Sequence, residues 1–234
     1  MKTMNRFLLT TMTLLALTLS SCNEWLNILP NNEQVTDNYW KTRQDVEAVV
    51  ASGYYYMRQA VPTMLVWGEV RGGALYSSNS QHSYLQNFNL TPSSGICDYA
   101  SLYKVIGMAN SVLKYAPSVT TEDETYYESV MKSHLCEAYF QRAYCYLVLV
   151  KNFREVPLVV EAFVNDDADY MTPKSSETEI IAQIKDDIEK ALATGAAKDI
   201  YEDTDGYTWQ TKGRATKWAL YALMADACLW NHDY

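Results

Sequence analysis

Ser176 stands three residues before Glu179, and Ile181, Ile184, Ile188, Ala191 and Leu192 follow at helical spacing until Gly195. A capping pair, an apolar stripe on one face and a glycine stop define an amphipathic helix, which must bury its stripe against another element. The same pattern recurs along most of the chain. Thr42 and Asp45 open a helix whose face carries Val46, Val49, Val50 and Tyr54. Leu102, Val105, Ile106, Ala109, Val112 and Leu113 form a stripe predicted to run from Tyr99 to Tyr115, with Pro117 as its end. Thr121 and Glu124 are predicted to cap a long helix that reaches Val150, with Leu135, Tyr139, Ala143, Tyr146 and Val150 along it. A last helix opens near Ala215, and Trp218, Tyr221, Ala222, Ala225, Cys228 and Leu229 are expected to fill its inner face. The fold class is therefore mostly α. Paired helices with alanine and aromatic residues inside suggest a tetratricopeptide-like repeat scaffold, although no regular 34-residue period is visible.

Two stretches break the helical period. From Ala60 to Asp98 it gives way to Pro62, Gly68, Gly72, Gly73, a Ser/Asn run and Pro92, which predicts a long loop, at most with a short helix. Long loops in compact domains are commonly functional. The segment "FREVPLVVEAF" is predicted to leave its helix and run extended.

The N-terminus carries a different signal. Lys2 and Arg6 precede Phe7–Leu19, a run of 13 mostly apolar residues with four threonines. That is short of the roughly 20 residues needed to cross a bilayer and suits the h-region of a secretory signal. Leu19-Ser20-Ser21-Cys22 resembles the lipobox of bacterial lipoproteins, which implies cleavage before Cys22 and acylation of its thiol. Three regions are expected: a signal peptide over 1–21, a lipidated tether over 22–41 and a helical domain over 42–234. Loss of the first 21 residues takes the net charge from −9 to −11. Such an acidic chain, with no basic stripe, is a poor partner for nucleic acid.

No catalytic signature accompanies the scaffold. The three histidines, His82, His134 and His232, lack metal-ligand spacing, and His134 with Glu137 reads as a solvated pair one helical turn apart. No nucleophile elbow, Walker loop or dinucleotide fingerprint is present, and Arg71-Gly72-Gly73 is followed by no helix start. No cofactor or metal is implied. Cys136 and Cys145, nine apart on one helix, face opposite ways and are not expected to bridge.

"NYWKTRQDVEAVVASGYYYMR", "SLYKVIGMANSVL", "CEAYFQRAYCYLVLVKNFREVPLVV" and "RATKWALYALMADACLW" follow one another in order. With the lipobox they resemble the N-terminal half of the SusD/RagB family of Bacteroidetes outer-membrane lipoproteins. Arg142-Ala143 followed by aromatics and then Val156-Pro157-Leu158 is the most specific part. Arg154-Glu155 departs from the Gly-Asp or Gly-Glu that the family often places there. Family members are about twice as long, so the resemblance implies a fragment or truncated product. It also implies a surface-exposed, lipid-anchored protein that captures oligosaccharides, or in some members peptides. Such a protein passes its ligand to a TonB-dependent, SusC-like barrel and does no catalysis.

Sugars stack on aromatic faces and hydrogen-bond to polar side chains, and the 60–98 loop carries both types. Trp67, Arg71, Tyr76 and Tyr84 are the candidate ligand residues; Trp67 and Tyr84 could instead anchor the loop. Tyr201, Tyr207 and Trp209 form a second candidate, beside Glu202, Asp203 and Asp205, which lack the rest of a calcium loop. A helical-repeat module that binds a protein partner, a non-functional fragment and a lipoprotein enzyme are the alternative readings.

Overall fold

Thr42 and Asp45 cap each other across the first turn of α1 (Arg43–Leu65): Asp45 Oδ2 accepts from Thr42 N at 2.8 Å, and Thr42 Oγ1 accepts from Asp45 N at 3.3 Å. The computed structural model describes residues 39–162 and 171–233, and all that follows concerns the unit Trp40–Tyr234. The signal segment, Cys22 and nearly all of the tether lie outside the described residues. Four further helices, long and short, follow α1 before the last: α2 (Ser80–Gln86), α3 (Ala100–Glu122), α4 (Glu128–Phe153) and α5 (Glu177–Ala193); α6 spans Lys217–Trp230. A two-residue antiparallel pair, β1 (Val156–Pro157) and β2 (Lys174–Ser175), joins the chain on either side of residues 163–170.

The helices pack in sequence, α1 on α3, α3 on α4, α4 on α5 and α5 on α6. Helix α4 is the centre and is buried on almost every side, from Ser133 to Val150. Gly53 brings α1 close to it: a Cβ there would lie 2.8 Å from Gln141 Cδ, and Gln141 Nε2 donates to Val50 O at 3.0 Å. Helix α5 forms as its sequence predicts. Ser176 and Glu179 make a capping box, Ile181, Ile184 and Ile188 are buried, and Gly195 takes φ +67°.

Several expectations need correction. Pro62 and Pro117 both lie inside helices, because each is on the exposed side while the buried stripe runs past it. After Pro117 it continues through Val119; around Pro62 it is carried by Ala60, Met64 and Trp67. The helix therefore runs five residues past Ala60 to Leu65, a π-helical turn, Val66–Val70, follows it, and the expected loop begins only at Arg71. Thr121 caps nothing: it is within α3, and its hydroxyl donates to Ser118 O at 2.7 Å. Asp123 organises that corner, accepting from Thr125 N and, at 2.8 Å, from Arg43 N at the start of α1. In α6 the buried residues are Leu220, Leu223 and Ala227, while Trp218, Tyr221 and Leu229 face outward.

"FREVPLVVEAF" leaves its helix at Arg154, which takes φ +63°. Side chains of α3 and α4 then hold the extended backbone. Tyr103 OH donates to Pro157 O at 2.6 Å, Tyr146 OH to Val159 O at 2.9 Å, and Asn110 Nδ2 to both Val159 O and Glu161 O at 3.0 Å. Backbone outside regular structure still needs its polar groups paired, and these side chains do so.

Candidate ligand-binding surfaces

Trp67 sits in the π-helical turn and is only 5% exposed. Its Nε1 donates to Ile96 O at 2.6 Å, and its ring meets Phe153 edge to face with centroids 5.1 Å apart. It fastens the two ends of the 66–98 segment to α4. Leu85 of α2, also buried, is the segment's other anchor. Arg71, Tyr76 and Tyr84 lie on the solvent side of these anchors, with Tyr76 87% exposed and Phe88 beside them in the chain nearly as open. Among the described residues no hydrogen bond or ring contact joins any two of Trp67, Arg71, Tyr76 and Tyr84. Asn79 caps α2 by accepting from Gln81 N at 3.0 Å, and Ser77 Oγ bonds His82 Nδ1 at 2.8 Å, so the backbone that presents Tyr76 is locally tied.

The second region divides differently. Tyr201 is buried and its hydroxyl donates to Ala215 O at 2.8 Å, while Tyr207 and Trp209 are exposed. Asp203 shapes the loop, its Oδ1 accepting from Asp205 N at 3.0 Å and Tyr207 N at 2.8 Å, and its Oδ2 from Trp209 Nε1 at 3.3 Å. Among the described residues no group of three His, Cys, Asp or Glu side chains could hold a metal ion. The carboxylate pair Asp166 and Asp167, which the sequence places in a polar, surface-like run, lies outside the described residues.

Trp209 lines a cleft of about 440 Å³ together with Val50, Ala51 and Tyr54 of α1, His134 of α4, and Gln210, Gly213 and Arg214. Behind the cleft, Glu137 is fully buried and grips Arg214 through Nη2 at 2.6 Å and Nε at 3.0 Å. Tyr54 OH donates to the same carboxylate at 2.8 Å and accepts from Ala215 N at 2.9 Å. Burial and the charge of Glu137 push the Tyr54 phenol well above its ordinary value, so it stays a donor. Burial works against the charge of Arg214, but its bonds to Glu137 outweigh this and hold the guanidinium protonated. The solvated pair expected of His134 and Glu137 is thus replaced by two buried groups with separate partners. His134 stacks on Tyr126, whose hydroxyl bonds Nδ1 at 3.0 Å. Sequence spacing could not reveal the Glu137–Arg214 pair, whose members are 77 residues apart.

A family model named SusD-like_3 and described as starch-binding associating with outer membrane matches residues 24–229. SusD-like protein P38 of Formosa agariphila is 27% identical over 222 residues, which is 92% of this chain and 40% of the relative. A SusD superfamily protein from Bacteroides thetaiotaomicron superposes with a TM-score of 0.73 at 20% identity, over 83% of this chain and 45% of that one. A laminarin binding SusD-like protein superposes at 0.66 with 23% identity, over 82% and 41%. The surface glycan-binding protein A of Bacteroides fluxus does so at 0.63 with 22%, over 82% and 41%. These structures share the mostly α, tetratricopeptide-like fold. The chain spans less than half the length of these relatives.

Proposed function

Because the chain belongs to the SusD-like family, we propose that it is a surface nutrient-binding lipoprotein that captures oligosaccharides, or peptides, without catalysing their breakdown. Acyl chains on Cys22 hold it to the outer membrane in this reading, and a SusC-like, TonB-dependent transporter receives the ligand. The description of the family as starch-binding and outer-membrane-associating supports the glycan and the location. The relatives named for laminarin and surface-glycan binding point the same way. The observation that carries the reading is the 71–88 segment: Arg71, Tyr76 and Tyr84 stand open to solvent on a backbone pinned by buried Trp67 and Leu85. Exposed aromatics on a fixed support can stack on sugar rings at low entropic cost. In this proposal Arg71, Tyr76 and Tyr84 contact ligand and Trp67 sets their position.

The test is calorimetric titration of laminarin, starch and other oligosaccharides into the full chain and into Tyr76→Ala. Saccharide binding that weakens in Tyr76→Ala supports the proposal, and turnover of a labelled oligosaccharide would count against it. A second reading, a helical-repeat module for a protein partner, is favoured by the outward Trp218, Tyr221 and Leu229 of α6. Charge substitutions on that face would then break a complex and leave sugar binding intact.

A further inference from the structure

The cleft beneath Trp209 continues into a smaller cavity of about 290 Å³, lined by Arg43, Ser129, Val130, Ser133 and Lys198. Glu47, His134 and Arg214 line both. The combined space suits a small molecule, since such sites run from about 300 to 1,000 Å³. Its two ends differ in chemistry. One end offers the exposed indole of Trp209 against Val50 and Ala51, a flat apolar mouth.

The other end is rich in donors that nothing in the described fold consumes. Arg214 has five N–H groups; two are bonded to Glu137 and one, from Nη1 at 3.1 Å, to Gln210, which leaves two. Lys198 makes no ion pair among the described residues and stands over the ring of Tyr201 at 5.0 Å. His134 is only 5% exposed, and Nδ1 is engaged by Tyr126. With Nδ1 as acceptor, Nε2 carries the proton, and it makes no hydrogen bond among the described residues. Its ion-pair neighbour, Glu47 Oε1, is 3.9 Å away and is already bonded to Arg43 Nε at 2.6 Å. His134 lines both cavities, so an acceptor supplied by a ligand can take this donor there. Arg43 balances Glu47 and Arg214 balances Glu137, so Lys198 leaves the lining one positive charge in excess, in a chain whose net charge is −9.

We infer that this cleft binds a carboxylate-bearing sugar, a hexuronic acid residue, with its ring against Trp209 and its carboxylate among His134, Arg214 and Lys198. An acceptor-only group fits an end that presents donors, and a pyranose ring fits the aromatic mouth. The site is separate from the 71–88 surface. The choice of a sugar over another carboxylate rests on the carbohydrate reading above.

The test is titration of the full chain with glucuronate, glucose and acetate, followed by calorimetry, with Trp209→Ala, Lys198→Ala and Tyr76→Ala alongside. Trp209 and Lys198 are both exposed, so neither substitution should disturb folding. Glucuronate should bind the parent chain, weaken by about tenfold or more in Trp209→Ala and in Lys198→Ala, and be unchanged in Tyr76→Ala. Glucose should bind at least about tenfold more weakly than glucuronate. Glucuronate binding insensitive to both cleft substitutions overturns the proposal, as does acetate binding as tightly as glucuronate. Neutral glycan binding lost in Tyr76→Ala together with no uronate binding overturns this inference alone. Uronate binding at Trp209 with no neutral glycan binding anywhere supports it and removes the neutral-glycan reading of the 71–88 surface.

Discussion

Arg142 holds Asp187 across the α4–α5 interface through two parallel bonds, Nε to Oδ2 at 2.8 Å and Nη2 to Oδ1 at 2.6 Å. Both side chains are almost wholly buried. The remaining guanidinium nitrogen, Nη1, donates to Asn110 Oδ1 at 2.8 Å and to Val160 O at 3.1 Å, so one arginine ties α3, α4, α5 and the extended backbone after β1 together. Burial opposes the charge on Arg142, yet its bonds to Asp187 raise its pKa further, and the guanidinium stays protonated. Burial, helped by the charge of Asp186, pushes the Asp187 carboxyl up against the opposing pull of Arg142 and Gln183, so its ionised form depends on those two partners.

Removing one partner of this pair is therefore expected to cost far more than removing both. Arg142→Met should lower the unfolding free energy by about 3–5 kcal/mol, because a buried carboxylate loses its partner. Arg142→Lys should also destabilise, since an ammonium cannot make the fork. The double variant with Asp187→Leu should recover most of the loss. Urea unfolding of the three variants is the measurement, and a cost below about 1 kcal/mol for Arg142→Met would show that the pair is not the clamp described.

Two helical glycines should respond to alanine in opposite directions. At Gly53 the new methyl would meet the buried Gln141 amide, which is itself bonded to Val50 O, so Gly53→Ala should destabilise by about 1–3 kcal/mol. At Gly107 nothing beyond the helix's own adjacent backbone lies within 4 Å of where the alanine methyl would project, and Gly107→Ala should stabilise by about 0.5–1 kcal/mol through helix propensity. Thermal unfolding of both resolves the sign. Equal shifts would mean that α1 and α4 are not in close contact at Gly53.

Arg154 gives a third contrast. Its φ of +63° is a conformation that favours glycine, the residue type the family resemblance leads one to expect there. Its side chain is bonded to Glu177 at 2.8 Å and lies 5.3 Å from the Trp230 ring centroid, an exposed arrangement of modest value. Arg154→Ala keeps the backbone strain and loses these contacts. Arg154→Gly loses the contacts and relieves strain of about 1–3 kcal/mol. The glycine variant should thus be more stable than the alanine variant by about 1 kcal/mol, and the reverse order in urea unfolding would contradict the strain argument.

The elements that sequence reading anticipates well are those with one wet face and one dry one. Helix α5 shows its capping box, isoleucine stripe and Gly195 stop in the sequence, because solvent covers its other side. Helix α4 lacks that contrast. With neighbours nearly all round, its Glu137, Gln141 and Arg142 look like a polar face, and only their distant partners, Arg214, Val50 and Asp187, reveal them as buried. Helix α6 is apolar on two sides, so periodicity cannot choose between Leu220 with Leu223 and Trp218 with Tyr221, and the fold buries the first pair. In the candidate surfaces, residue type identified Trp67 and Tyr201 as aromatics near a site. Their burial follows from tertiary bonds to Ile96 O and Ala215 O that no local pattern encodes.

His134 makes stability depend on pH in a definable window. Burial lowers its pKa below the ordinary 6.5, and Arg214 and Arg43 push the same way, while the charges of Glu137 and Glu47 act against the shift. A histidine whose folded pKa is depressed contributes fully above its unfolded value, and that contribution is lost as pH falls through 6.5 toward the folded pKa. The parent chain should lose stability between about pH 7.5 and about pH 5. In the tautomer whose Nδ1 accepts from Tyr126 OH, protonation also forces Nδ1 to become a donor. His134→Asn keeps a polar group near Tyr126 and cannot titrate, so its stability should fall less over the same interval. The depressed carboxyls of Asp123, Glu128 and Glu179 titrate in both proteins, and comparing the slopes removes them. Urea midpoints measured across the interval decide the matter: parallel curves for the parent and His134→Asn would show that His134 carries no such linkage.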